Sequence, residues 1–144
     1  TSSYADIPHK FEAGTPNNAG VVAVKNAIEF IKNIGLQNIH DYESELLEYA
    51  TDKMRSINGV KFYGTAKHKT GIISFNIKNI HPYDIGVIID KMGVAIRTGN
   101  HCTQPIMDKY KIPGTARISF GVYNTKEEID RCVESINKSI KMLS

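Results

Sequence analysis

The spacing of apolar residues changes at Asn58-Gly59, and that change limits the folds open to the chain. Before it the period is helical. Val21, Val24, Ile28 and Ile31 predict a helix from Ala19 to Ile34, capped by Asn17 or Asn18 and ended by Gly35. Leu46, Leu47, Ala50, Met54 and Ile57 predict a second helix from about His40 to Ile57. After Gly59 the period shortens. Val60 to Tyr63 predicts a short strand, and Gly71 to Ile77 alternates with Ile73, Phe75 and Ile77 on one face. Gly64 to Thr70, with His68 and flanking lysines, predicts a solvated hairpin loop. Pro82 suits the first position of a helix reaching Met92, with Ile85, Ile88, Ile89 and Met92 inward and Gly93 closing it. Val94 to Arg97 predicts a strand. Thr115 to Phe120 alternates again, with Ala116, Ile118 and Phe120 on one face and Thr115, Arg117 and Ser119 on the other. Thr125 and Glu128 form a capping box for a final helix striped by Ile129, Val133, Ile136, Ile140 and Leu143.

This order predicts an α+β fold: a small, mostly antiparallel sheet with helices covering one face. The 144 residues suit one domain, with room for an incomplete second. Two N-terminal helices exceed what one small sheet needs, which points to an interface or a missing neighbour. The polar run from Thr1 to Ile7 predicts a poorly ordered terminus. A hydrophobic content of 41% beside 23% charged residues fits a chain with a real core. The net charge of +3, without a basic run or interleaved aromatics, argues against nucleic acid. No apolar run approaches the roughly 18 residues of a membrane helix. No secretory leader is visible. Two cysteines make no disulfide framework and suggest a reducing, cytoplasmic setting.

Chemistry concentrates in Arg97-Thr98-Gly99-Asn100-His101-Cys102-Thr103-Gln104-Pro105. A cation, a glycine turn, an imidazole and a thiol follow an apolar run and precede a short helix expected from Gln104 to Lys109. Loops at strand ends commonly present reactive groups. A thiol reacts as its thiolate, which Arg97, His101 or the turn near Gln104 would favour. The plainer reading is a surface loop with an incidental cysteine. Cys132 differs, because its spacing puts it on the apolar stripe of the last helix, where cysteine acts as a small buried hydrophobe. Arg117 stands on the polar face of its strand and suits two-point carboxylate binding. His101 and Cys102 have no further ligands at zinc spacing, so no metal site is expected. Gly14-Thr15 ahead of a helix could offer donors to a phosphate, although the same residues also make an ordinary helix entry.

Three stretches together resemble one family. Arg97 to Pro105 is similar to the RxGxHCAxP active-site loop of SufS-type cysteine desulfurases, within the class V aminotransferases. Phe11-Glu-Ala-Gly-Thr-Pro-Asn17 is similar to their FEAGTPN segment. Thr115-Ala-Arg-Ile-Ser-Phe120 and Tyr123-Asn-Thr-Lys-Glu-Glu-Ile129 are similar to their TARASF and YNTxEEI ending. The resemblance covers essentially the whole chain but only roughly the last third of such an enzyme. Asn100 replaces the family's usual histidine and Thr103 its usual alanine.

The resemblance implies that residues 1–35 correspond to the end of a large domain and its linker helix, and 36–144 to a C-terminal small domain. It implies pyridoxal phosphate, held by a lysine absent here; Lys10 and Lys69 stand at the wrong places for it. Cys102 would take the sulfur of L-cysteine as a persulfide and release alanine, for iron–sulfur cluster assembly. Arg117 would bind the substrate carboxylate. Arg97, His101 and Asn100 would line the substrate, and Thr15 with Gly14 would contact the cofactor phosphate of the opposite subunit in a homodimer. The implied partners are the missing large domain and a sulfur-acceptor protein, with no nucleic acid or membrane. Two other readings stand beside this one: a free-standing sulfur-carrier or binding module, and a piece of a selenocysteine lyase.

Overall fold

Four of the five α-helices among the described residues begin at a capping side chain or with a proline in the first turn, Pro105 in the case of the short helix over residues 104–110. In this computed structural model, which describes residues 3–144, the Asn17 side chain accepts the Gly20 amide hydrogen at the start of α1, Asn18–Ile34. Pro82 opens α3, Pro82–Asp90. The full capping box of Thr125 and Glu128 opens α5, Lys126–Leu143. The terminus expected to be poorly ordered begins with two residues outside those described, and residues 3–6 form no regular element.

The second helix, α2, runs Leu36–Arg55 and so starts and ends earlier than its apolar stripe predicts. Gly35, at φ 92, ends α1 within one residue, which lets the next helix begin at once. Gln37 then braces the first turn by donating to Asp41 at 2.8 Å. At the other end the backbone tightens, with Ile57 N–H reaching the Met54 carbonyl at 3.0 Å.

The chain divides into two compact units, one ending at Leu36 and the other spanning Gln37–Ser144. In the first, α1 has no buried residue. Its predicted stripe of Val21, Val24, Ile28 and Ile31 is exposed. In the second, four strands form one antiparallel sheet in the order β1-β2-β4-β3. They are β1 (Val60–Tyr63), β2 (Ile72–Ile77), β3 (Arg97–Gly99) and β4 (Thr115–Ser119).

One expected strand is displaced. Val94–Ile96 lies outside β3, which instead covers Arg97–Gly99. The pairing explains it: β4 meets this segment from Arg97↔Arg117 to Gly99↔Thr115. Upstream, the Val94 amide turns back to the Ile89 carbonyl near the end of α3.

Alternation along the strands separates two faces. On one, Ile73, Phe75, Ile77, Ala116 and Ile118 pack against Leu46, Ala50 and Met54 of α2, Ile85 and Ile89 of α3, and Ile129 and Ile136 of α5. Each such fully buried large side chain contributes about 1.5–3 kcal/mol relative to exposure. The α+β architecture is therefore the expected one, with α2 part of the covering layer rather than surplus to it. The other face carries a row across all four strands: Tyr63 opposite Ser74, Ser74 opposite Arg117, and Arg117 opposite Arg97. The short helix α4, Gln104–Tyr110, lies beside that row.

Candidate active site

The site is built where β3 runs out. Gly114 precedes β4, and a Cβ there would stand 2.8 Å from the carbonyl carbon and oxygen of Gly99, so glycine is required for the strands to meet this closely. Gly99 has φ 116, and the chain then turns through Asn100, His101, Cys102 and Thr103 into α4. His101 and Cys102 both lie in the left-handed region, at φ 55 and 59. Such a conformation costs a non-glycine residue about 1–3 kcal/mol and persists only where its surroundings impose it.

Local bonds supply part of that constraint. The Asn100 side-chain oxygen accepts the Cys102 amide hydrogen at 3.2 Å, and its amide nitrogen donates to Gln104 at 3.2 Å. Thr103 returns both its amide hydrogen and its hydroxyl to the Asn100 carbonyl, at 2.9 and 2.7 Å. The consequence is that the Cys102 thiol is exposed, with the Arg97 guanidinium 3.8 Å from its sulfur. The thiolate is the form in which a cysteine acts as nucleophile.

The second constraint comes from the sheet. His101 Nε2 lies 2.9 Å from the Thr115 hydroxyl and 3.1 Å from the Thr115 carbonyl oxygen. A carbonyl can only accept, so Nε2 carries the proton and Nδ1 keeps a lone pair. Nδ1 is buried without a partner. Burial first, then the Arg117 charge and, more weakly, Arg97, push the imidazole below its ordinary value against the opposing bond to Thr115. The ring is thus held neutral beside two cations.

Arg117 Nε is also buried without a partner. With His101 and Thr103 it lines an open cavity of about 360 Å³ walled by Tyr63, Met107 and Tyr110. The rings of Tyr63 and Tyr110 meet edge to face at 5.4 Å. Arg117 and the His101 imidazole thus line the cavity, no carboxylate does, and Arg97, directly opposite Arg117 on the same sheet face, holds the Cys102 thiol beside it. That arrangement can bind a small carboxylate and present a sulfur nucleophile next to it.

The structure brings together Arg97, Asn100, His101, Cys102 and Arg117. Asn100 uses both ends of its side chain on the loop itself. Thr15 and Gly14 lie in the first unit, exposed in the turn ahead of α1, with Gly14 at φ 76. Cys132 is buried on α5, and burial pushes its thiol up to about 11. Two residues escaped the sequence reading. Thr115, only 2% exposed, grips His101, and Asn76 donates to the Gly114 carbonyl at 2.9 Å. Both sit on the polar side of an alternating strand, the signal that could have marked them.

For pyridoxal phosphate, the positive-φ turn and exposed hydroxyl at Gly14-Thr15 fit a phosphate contact. The imine position does not fit. A lysine kept uncharged needs burial, and no lysine among the described residues is buried. Among the same residues no helix is long and apolar enough to cross a membrane.

The family profile for class-V aminotransferases matches residues 1–132. A probable cysteine desulfurase of Staphylococcus epidermidis is 44% identical over 99% of the chain, and one from Staphylococcus aureus is 42% identical over the same share. The chain spans 35% of the length of each. Among solved structures, a cysteine desulfurase of Thermococcus onnurineus NA1 in its apo form superposes with a TM-score of 0.86 at 36% identity, covering 94% of this chain and 34% of that one. The cysteine desulfurase CsdA of Escherichia coli also gives a TM-score of 0.86, at 28% identity, with 94% of this chain and 33% of that one covered. With its fold and its sequence in agreement, the chain belongs to the class-V aminotransferase family.

Proposed function

We propose that this chain is the nucleophile-bearing part of a cysteine desulfurase, completed by a large domain outside these 144 residues. The observation that carries the reading is the exposed Cys102 thiol 3.8 Å from Arg97, which itself stands directly opposite Arg117 in the sheet. Pyridoxal phosphate, bound by a lysine of that other domain, would supply the electron sink that amino-acid chemistry of this class requires. Thr15, with Gly14, would reach its phosphate across a homodimer.

The residues here do the rest. Arg117 would hold the carboxylate of L-cysteine by a planar two-point contact, with Arg97 as a second cation. His101 and Asn100 would shape the wall beside the substrate. The Cys102 thiolate would attack the substrate sulfur. The bond formed is S–S and the bond broken is the substrate Cβ–S. The carbon keeps the electron pair and takes a proton, leaving as alanine, while Cys102 keeps the persulfide. An exposed loop then suits delivery of that sulfur to an acceptor protein, in a cytoplasmic route to iron–sulfur clusters.

The test is turnover with and without the missing part. Given pyridoxal phosphate and cysteine, the 144-residue chain should release no sustained alanine. A protein joining it to the large domain of a desulfurase should do so, dependent on Cys102. Alanine beyond one equivalent from the chain alone would overturn the division of labour. Turnover by the joined protein after Cys102→Ser would remove Cys102 from the chemistry.

A further inference from the structure

The loop that carries Cys102 is held at two kinds of place. Asn100, Thr103 and Gln104 bond within the loop and its helix, so they fix its local shape but not its position on the sheet. The bonds that leave the loop for β4 run from His101 to Thr115. Thr115 is a suitable anchor. It is 2% exposed, it sits opposite Gly99 in the register, and it follows the glycine whose missing Cβ lets the two strands touch. His101 and Cys102 are consecutive left-handed residues, so turning one reorients the next.

We propose that Thr115 and His101 form a positioning pair, in which Thr115 holds the Nε2-protonated ring of His101 and thereby keeps the Cys102 sulfur beside Arg97. Neither residue needs to touch substrate for this role. The inference rests on Cys102 being the nucleophile of the proposed function. It adds that the Cys102–Arg97 contact depends on a bond between His101 and Thr115, which are fourteen residues apart.

The role predicts a coupling rather than a simple loss. In the 144-residue chain, iodoacetamide labelling of Cys102 at neutral pH should change by about threefold on Arg97→Ala, because the guanidinium contacts the sulfur at 3.8 Å. In a His101→Leu background the same Arg97→Ala change should have almost no effect, because the sulfur has already left the guanidinium. His101→Gln, whose amide nitrogen lies as many bonds from Cα as Nε2 does, should restore the Arg97 dependence. Circular dichroism checks that each variant is folded. Nitrogen-15 spectra of the wild-type imidazole provide a second reading that needs no variant: Nε2 should carry the proton and Nδ1 should not.

An Arg97→Ala effect of equal size in the wild-type and His101→Leu backgrounds would overturn the pair, as would an Nδ1-protonated ring. Fast labelling of Cys132 instead of Cys102 would be a different failure. It would remove the nucleophile and with it the proposed function.

Discussion

Arg97 and Arg117 stand directly opposite each other on β3 and β4. Like charges so placed repel across a strand pair. The cost makes sense where an anion comes between them, and the cavity lined by Arg117 is free of acidic side chains. In the proposed full-length desulfurase, Arg117→Lys should raise KM for cysteine about tenfold or more, because lysine cannot reproduce a two-point contact. Steady-state alanine release measures it. Unchanged kinetics would take Arg117 out of the substrate site.

The two cysteines should differ in reactivity. Cys102 is exposed beside a guanidinium, whereas burial pushes Cys132 up to about 11. Brief alkylation of the folded chain followed by peptide mapping should find the label on Cys102. Early labelling of Cys132 would contradict the burial on α5.

Stability should depend on pH through His101. Its folded value is depressed below the ordinary 6.5, so the unfolded chain binds the proton more readily. Stability from this group is present above about 6.5 and is lost as pH falls from there toward the depressed folded value. The lowered carboxylates, Glu127, Glu128, Asp130 and Glu134, begin below an ordinary 3.8 or 4.5 and titrate further down. Thermal melts between about pH 5 and 7 should therefore show a slope that His101→Gln reduces. An identical slope in that variant would assign the effect to another group.

Removing the capping box should weaken α5. Thr125→Ala deletes the acceptor for the Glu128 amide hydrogen and should cost about 1 kcal/mol in urea denaturation. A change indistinguishable from zero would mean that the packed stripe of α5 holds the helix without its cap.

Gly114→Ala should cost more, about 1–3 kcal/mol, because the new methyl group meets the Gly99 backbone rather than a movable side chain. It should also slow labelling of Cys102, since β3 leads into the loop. A variant of wild-type stability would show that the strands can separate without penalty.

Much of the fold was legible from periodicity alone. Ile73, Phe75 and Ile77 announced β2, and Ile129 with Ile136 announced the buried side of α5. The misplaced strand shows where that reasoning stops. Val94-Ala95-Ile96 reads as a strand because it is apolar, yet Arg97-Thr98-Gly99 becomes one because β4 pairs with it. Pairing is a tertiary event that a local window does not contain. The site divides in the same way. Cys102, Arg97 and Arg117 stand out by residue type and motif. Thr115 opens the TARASF-like stretch, but its role was hidden, since that depends on the register of β3 against β4 and on the loop folding back. The early start of α2 was hidden by Gly35, which ends one helix and permits the next with no linker between.

The central claim is that substrate sulfur passes to Cys102. It is tested most directly by mass. In the proposed full-length desulfurase, loaded with pyridoxal phosphate and given L-cysteine without reductant, the tryptic peptide containing Cys102 should gain one sulfur atom. The Cys132 peptide should not, and Arg117→Lys should reduce the gain at limiting cysteine. Alanine release with the Cys102 peptide unmodified, or with the added sulfur on Cys132, would contradict the account.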